Sequence, residues 1–175
     1  MAKGVTLEQF DLAFLFIRIW LGVVMIAHGV NHGRSLEGTA NWFASKGFRS
    51  APMNARVSAT GEILMGLALI GGLLTSFAVA GLVATMFVAF WSIHRFAGFF
   101  NFHRPDEGYE YVATLAFVAS ALAIAGPGAY SLDHVFDIAD QFDGVIGGIV
   151  AAAGLLAGGA QVAVFWRKPG KEDGK

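Results

Sequence analysis

The sequence predicts an all-α transmembrane helical bundle, with a four-helix core and a fifth C-terminal membrane helix. Three observations carry this. Of 175 residues, 55% are hydrophobic and only 14% charged, where soluble domains carry roughly 25% charged residues. Mean hydropathy is +0.59. Residues Ile63 to Ile93 contain no charged side chain at all. A water-soluble globule of this size cannot hide so much apolar surface behind so few charges.

A crossing helix needs about 20 mostly apolar residues to pass ~30 Å of hydrocarbon. Leu12–Val30 is the first, interrupted only by Arg18 and His28. It is longer than a signal-peptide core and lacks an Ala-x-Ala cleavage site, so it is expected to be retained. The apolar stretch beginning at Val57 and ending at His94 would make a helix on the order of 50 Å long, too long for one crossing. It is expected to fold back at Gly71, Gly72, Thr75 and Ser76, giving spans Val57–Leu74 and Phe77–His94. Tyr109–Ala125 is the fourth, stopped by Gly126-Pro127-Gly128. Val145–Phe165 is the fifth, followed by the polar tail Arg167–Lys175.

Five crossings place Arg34, Lys46, Arg49, Arg56, Arg95, Arg104, Arg167, Lys168, Lys171 and Lys175 on one side, ten of the twelve basic residues. Lys3 alone falls on the other side, and Arg18 lies within the first span. Excess Lys and Arg mark the cytoplasmic face. The expected topology is a multi-pass protein of the cell membrane, N-terminus out and C-terminus cytoplasmic. The outer side collects Glu8, Asp11, Asp133, Asp137, Asp140 and Asp143.

Several chemistries are excluded. The chain has no cysteine, which removes disulfides, Fe–S clusters, thiolate-zinc sites and haem-thiolate ligation. Its net charge of −1 argues against nucleic acid, which demands a basic excess. No P-loop, dinucleotide fingerprint or His-Glu-x-x-His motif occurs.

Ionisable residues inside a span cost ~2.5–3.5 kcal/mol on insertion scales, so each needs a partner or a cavity. Helix side chains lean toward their own N-terminus, which draws Arg18 outward and Glu62 inward and works against a direct pair. Arg18 is instead expected either to form an ion pair with Asp133, delivered by the Gly-Pro-Gly turn, or to snorkel to the interface; a substrate contact is a third reading.

At the inner side, the four core spans bring His28, His32, Glu62, His94, Tyr109 and Glu110 to one depth, among Phe90, Trp91, Phe96, Phe99, Phe100 and Phe102. Three readings stay open. These residues serve as interfacial anchors. Alternatively, they line a pocket for a quinone head, which needs two hydrogen-bonding groups and a flat apolar slot. In that case Glu62 or His94 exchanges the proton, Tyr109 bonds a carbonyl oxygen, Glu110 assists, and His28, Phe90, Trp91, Phe99 and Phe100 contact the ligand. The third is a metal on His28 and His32 with Glu62 or Glu110, or a b-type haem between His28 and His94. Neither histidine spacing is specific, so no metal ligands are assigned and quinone ranks ahead of both.

The first loop carries Trp42, Phe43 and Phe48 among basic residues, the pattern of a segment lying on headgroups or docking a soluble partner. The aromatic loop between spans three and four is either a flap or interface packing. In span five, Gly144/Gly148 and Gly154/Gly158 form small-residue faces for packing on the chain's own bundle or for a homo- or hetero-oligomer seam.

The ordered features resemble the DoxX family of small membrane proteins over residues 14–133. The matching pieces are Arg18 with Gly22 and His28-Gly29, the stretch Asn41–Phe48, Gly61-Glu62, Gly98-Phe99-Phe100, Tyr109-Glu110 and Gly126–Asp133. Asn31 departs from it, since many relatives carry lysine there. The resemblance implies a four-helix membrane domain over 1–135, with 136–166 an additional membrane helix and 167–175 a polar cytoplasmic tail. It further implies a membrane subunit associated with quinone-linked redox or oxidative-defence chemistry. Some relatives are the small membrane subunit of thiosulfate:quinone oxidoreductase or of a terminal quinol oxidase; others look like partners of sulfurtransferases or superoxide dismutase. Whether this chain is itself enzymatic stays open, and the alternative is a noncatalytic anchoring or assembly subunit. A transporter ranks third, for want of an inverted repeat or broken helices.

Overall fold

A computed structural model describes residues 6–102 and 107–169. Lys3, Arg104, Lys171, Lys175 and most of the polar tail lie outside the described residues. The described residues are all-helical in architecture: α1 (Leu7–Gly33), α2 (Leu36–Ser45), α3 (Ala51–Gly71), α4 (Thr75–Ser92), α5 (Glu110–Ala125), a single-turn α6 (Leu132–Val135) and α7 (Gly144–Phe165). Short 3-10 turns occupy His94–Phe96 and Ala139–Gln141.

α1, α4 and α7 are long and apolar enough to cross a membrane. Their outward faces carry large apolar side chains, such as Phe16 and Trp20 on α1 and Leu156 on α7. α1 starts five residues earlier than its apolar run because Thr6 and Gln9 form a reciprocal capping box. α3 also begins early, with Pro52 in its first turn where a missing N–H costs nothing. The expected turn between α3 and α4 falls at Gly72 (φ 64°) and Leu74 (φ 48°).

Lipid offers helices no hydrophobic drive to associate, so close backbone approach decides the pairings. α1 and α3 run antiparallel through reciprocal notches: a Cβ on Gly22 would sit 2.6 Å from Gly66 O, and one on Gly66 2.6 Å from Gly22 O. Gly29 repeats the contact on Ala59 O at 2.8 Å. α7 lies parallel to α4, with Gly154 against Ala80 O and Gly158 2.7 Å from Ala84 O by the same measure. Gly147 sits on Ala123 of α5 and Gly148 on Ile124, while Gly144, at φ 56°, starts the helix with nothing within 4 Å. The Gly154/Gly158 face is therefore spent inside the bundle and is not free to form an oligomer seam.

The main core, including Leu21, Met25, Leu69, Leu82, Leu115 and Leu122, fills the centre of the bundle. A second cluster joins Phe43 and Phe48 to Ala55, Val88, Val162 and Trp166. This cluster is locked by the residues that close α7. Phe48 and Trp166 form an isolated antiparallel bridge, Arg49 N donates to Phe165 O at 2.6 Å, and Arg167 N to Gly47 O at 2.9 Å. The Trp166 indole donates to Lys46 O at 2.8 Å. The stretch expected to lie on headgroups thus folds as α2 and packs on α3.

Candidate functional site

The two ends of the bundle are built differently. At the end where α3 turns into α4, polar groups tie loops together. Arg18 is fully buried and donates to Leu69 O and Ile70 O at 3.5 and 3.4 Å, and to Tyr130 O. Asp133 accepts from Leu74 N at 2.6 Å and Thr75 N at 2.8 Å. It caps α4 from 59 residues away, because Leu74 at the cap position has no side chain able to do so. Asp11 holds Ala129 N at 2.8 Å. The expected Arg18–Asp133 pair is not in contact within 4.0 Å: both residues serve the same turn and each binds backbone groups, with the Asp133 charge acting on Arg18 through space. Gly72 sits directly against the Arg18 guanidinium and leaves no room for a Cβ. Among the described residues, the one ion pair within 4.0 Å is His32 Nε2 to Glu62 Oε1, at 3.9 Å.

That pair belongs to the opposite, basic end. His28 and His32 stand one turn apart at the end of α1, and Glu62 faces them from α3. Glu62 is 3% exposed. Ser58, one turn earlier on α3, donates to its Oε1, while Oε2 is buried with no hydrogen-bond partner. The Thr39 hydroxyl donates to His32 O at 2.9 Å, fastening α2 beneath α1. His94 follows α4 and its Nδ1 lies 2.7 Å from Glu107 O. A carbonyl only accepts, so Nδ1 carries the proton, and in neutral His94 Nε2 is left as an acceptor.

Two cavities adjoin Glu62. The first, about 420 Å³, is lined by His28, His32, Glu62, His94 and Tyr111, with Met25 and Met86 below. The second, about 320 Å³, is lined largely by apolar groups of α3 and α4, including Val57, Met65 and Val88. Both fall within the ~300–1,000 Å³ range of ligand pockets.

Of the residues expected at the site, His28, Glu62 and His94 come together on the first cavity. Tyr109, Glu110, Phe90, Trp91, Phe99 and Phe100 line neither cavity. The Tyr109 ring packs edge-on against Phe90 at 5.3 Å and Phe99 at 5.4 Å. Glu110 is exposed and accepts from Asn101 N at 3.4 Å. Phe100 stacks on Phe102, and Trp91 lies under the Arg95 guanidinium at 4.1 Å. The tyrosine on the cavity is Tyr111. α5 starts at Glu110, and a two-residue step swings a side chain by about 200° around a helix, which sets Tyr111 on the cavity and Tyr109 against Phe90 and Phe99. Trp42 and Lys46 reach the cavity from α2, and Glu107 from the loop before α5. Ser58 was detectable in the sequence, since an i, i+4 spacing puts it on the Glu62 face. Among the described residues no three His, Asp or Glu side chains gather as a metal ligand set.

Residues 13–95 match the DoxX family model. The match spans α1 through α4 and contains Arg18, His28, His32, Glu62 and His94; Tyr111 and Asp133 lie beyond it. No curated protein and no solved structure matches the chain.

Proposed function

We propose that this DoxX-domain membrane protein binds the head of a quinone in the cavity at its basic end, as the membrane subunit of quinone-linked redox or oxidative-defence chemistry. The observation that carries the reading is the Glu62 carboxyl group: nearly inaccessible, with Oε2 unpartnered, on a cavity of about 420 Å³. An unsatisfied buried polar atom costs about 1–3 kcal/mol, and a ligand that bonds Oε2 removes that cost.

A bound quinone supplies a carrier of two electrons and two protons. The chain's own groups do the rest. Ser58 fixes one carboxyl oxygen of Glu62, so that the other faces the ligand. Protonated Glu62 donates to a ring carbonyl, and ionised Glu62 accepts from a ring hydroxyl. His94, its Nδ1 held by Glu107 O, offers Nε2 as a second acceptor, and Tyr111 offers a hydroxyl. Met25, Met86 and Val112 bound the ring with apolar, polarisable surface.

Helix directions alternate through α1, α3, α4, α5 and α7, in keeping with five crossings of the cell membrane. The basic residues Arg34, Lys46, Arg49, Arg56, Arg95, Arg167 and Lys168 lie in or beside the connections at the cavity end, which supports a cytoplasmic placement of that end.

The test is a titration of the full chain in detergent with a short-chain benzoquinone, read by quenching of tryptophan fluorescence, because Trp42 borders the cavity. Wild type is expected to show saturable quenching. Glu62→Leu is expected to weaken it at least tenfold, which corresponds to ~1.4 kcal/mol, about one hydrogen bond. Equal affinity in the two proteins defeats the reading. A purely anchoring subunit would show a co-purifying partner and no saturable quinone site.

A further inference from the structure

The tight pairings of this bundle are α1 with α3 and α4 with α7, whereas α1 meets α5, and α3 meets α7, only loosely. Each loose seam holds one cavity. The first takes Met25 and His28 from α1 and Tyr111 and Val112 from α5. The second takes Val57, Gly61 and Met65 from α3 and Gln161 from α7. Both rest on α4, whose Thr85 and Ala89 contribute to each, and they share a wall made of His32, Trp42 and Glu62.

Their chemistry is unequal. His28, Lys46, His94 and Glu107 line the first cavity alone. In the second, their place is taken by apolar or small residues, among them Gly81, Ala84 and Val88. The small residues of α4 set a low floor there. Gly81 lies directly under the Met65 side chain, and a Cβ would strike its sulfur. A polar compartment and an apolar one, meeting at a buried carboxyl group with a free oxygen, match the two halves of an amphiphile.

We infer that one ligand occupies both cavities, its ring in the α1–α5 seam and its apolar tail in the α3–α7 seam, which makes the ligand class an alkyl- or isoprenyl-tailed quinone. This rests on the quinone reading above and extends it. A tail leaving through the first cavity would pass the charged groups of Lys46 and Glu107, which lose hydration to it. A tail crossing beneath Glu62 and His32 meets a mostly apolar lining, in which Ser58, Thr85, Ser92 and Gln161 are the uncharged polar residues, and is directed between α3 and α7. The shared wall then sits at the junction of ring and tail, where Glu62 Oε2 can bond a ring oxygen.

Photolabelling of the full chain in lipid nanodiscs tests this. Two decyl-tailed benzoquinones are used, one with a diazirine on the ring and one with it at the tail end, with labelled peptides mapped by mass spectrometry. An excess of unlabelled decyl-benzoquinone should reduce specific labelling at least fivefold. The ring probe is expected on peptides containing His28, His94 or Tyr111. The tail probe is expected on those containing Val57–Met65, Ala84–Val88 or Gln161, and Ala84→Phe should cut the tail label at least fivefold. Competed ring labelling with the tail label on α1 or α5 overturns the two-seam placement while leaving the quinone site intact. Absence of competed ring labelling overturns the quinone reading itself.

Discussion

Asp133 provides the sharpest energetic prediction of the fold. Its carboxylate is 5% exposed and holds Leu74 N and Thr75 N through separate oxygens, at 2.6 and 2.8 Å. Hydrogen bonds to a charged group are worth about 1.5–3 kcal/mol each. Asp133→Ala removes both acceptors and strands two N–H groups at the start of a membrane helix, so a loss of about 3–5 kcal/mol is expected. Asp133→Asn keeps one oxygen acceptor and gives up the other, and its loss should be about half as large. Unfolding by SDS titration in mixed micelles, followed by tryptophan fluorescence, measures both. The comparison separates the cap from an ion pair with Arg18. Were the negative charge facing Arg18 the main contribution, Asn and Ala would be equally damaging, since both abolish it. Equal losses, or losses under ~0.5 kcal/mol for both, would refute the capping argument.

Other substitutions probe the remaining joints by the same unfolding measurement. Gly66→Ala forces a methyl group to within 2.6 Å of Gly22 O; overpacking of ~1–3 kcal/mol should outweigh the ≤ ~1 kcal/mol gained in helix propensity. Arg18→Lys should destabilise about as much as Arg18→Met, because a compact ammonium cannot span from the end of α3 to Tyr130 as a guanidinium does; full rescue by Lys would contradict this. Trp166→Ala should cost ~3 kcal/mol or more from lost burial and the lost bond to Lys46 O, and should speed proteolysis within residues 34–50.

The membrane-length helices α1, α4 and α7 were legible because such helices announce themselves by uninterrupted apolar length, and the α3–α4 turn because two glycines and two hydroxyl residues punctuate one such run. Glu62, His28 and His94 were legible as a group because burying an ionisable side chain is costly and their depths agree. Register was not. Tyr109 and Tyr111 differ only in angle around a helix whose start is set by the loop before it. Depth alone also could not say what Arg18 and Asp133 would bind, since backbone carbonyl and N–H groups at helix ends compete with charged side chains as partners. The destination of Trp42 was hidden for a related reason. α2 is held by Phe43 and Phe48, whose neighbours Val162 and Trp166 lie more than a hundred residues onward. No local pattern reports such a contact.

The bridge between Phe48 and Trp166 bears on how the chain is made. Residues 47 and 49 find their backbone partners in residues 165 and 167, which are synthesised more than a hundred residues later. Until then α2 lacks this clasp and is held only by its packing on α3 and the Thr39–His32 bond. A nascent or truncated product that ends before residue 165 would lack these bonds to residues 46–49, at the end of the helix that carries Trp42.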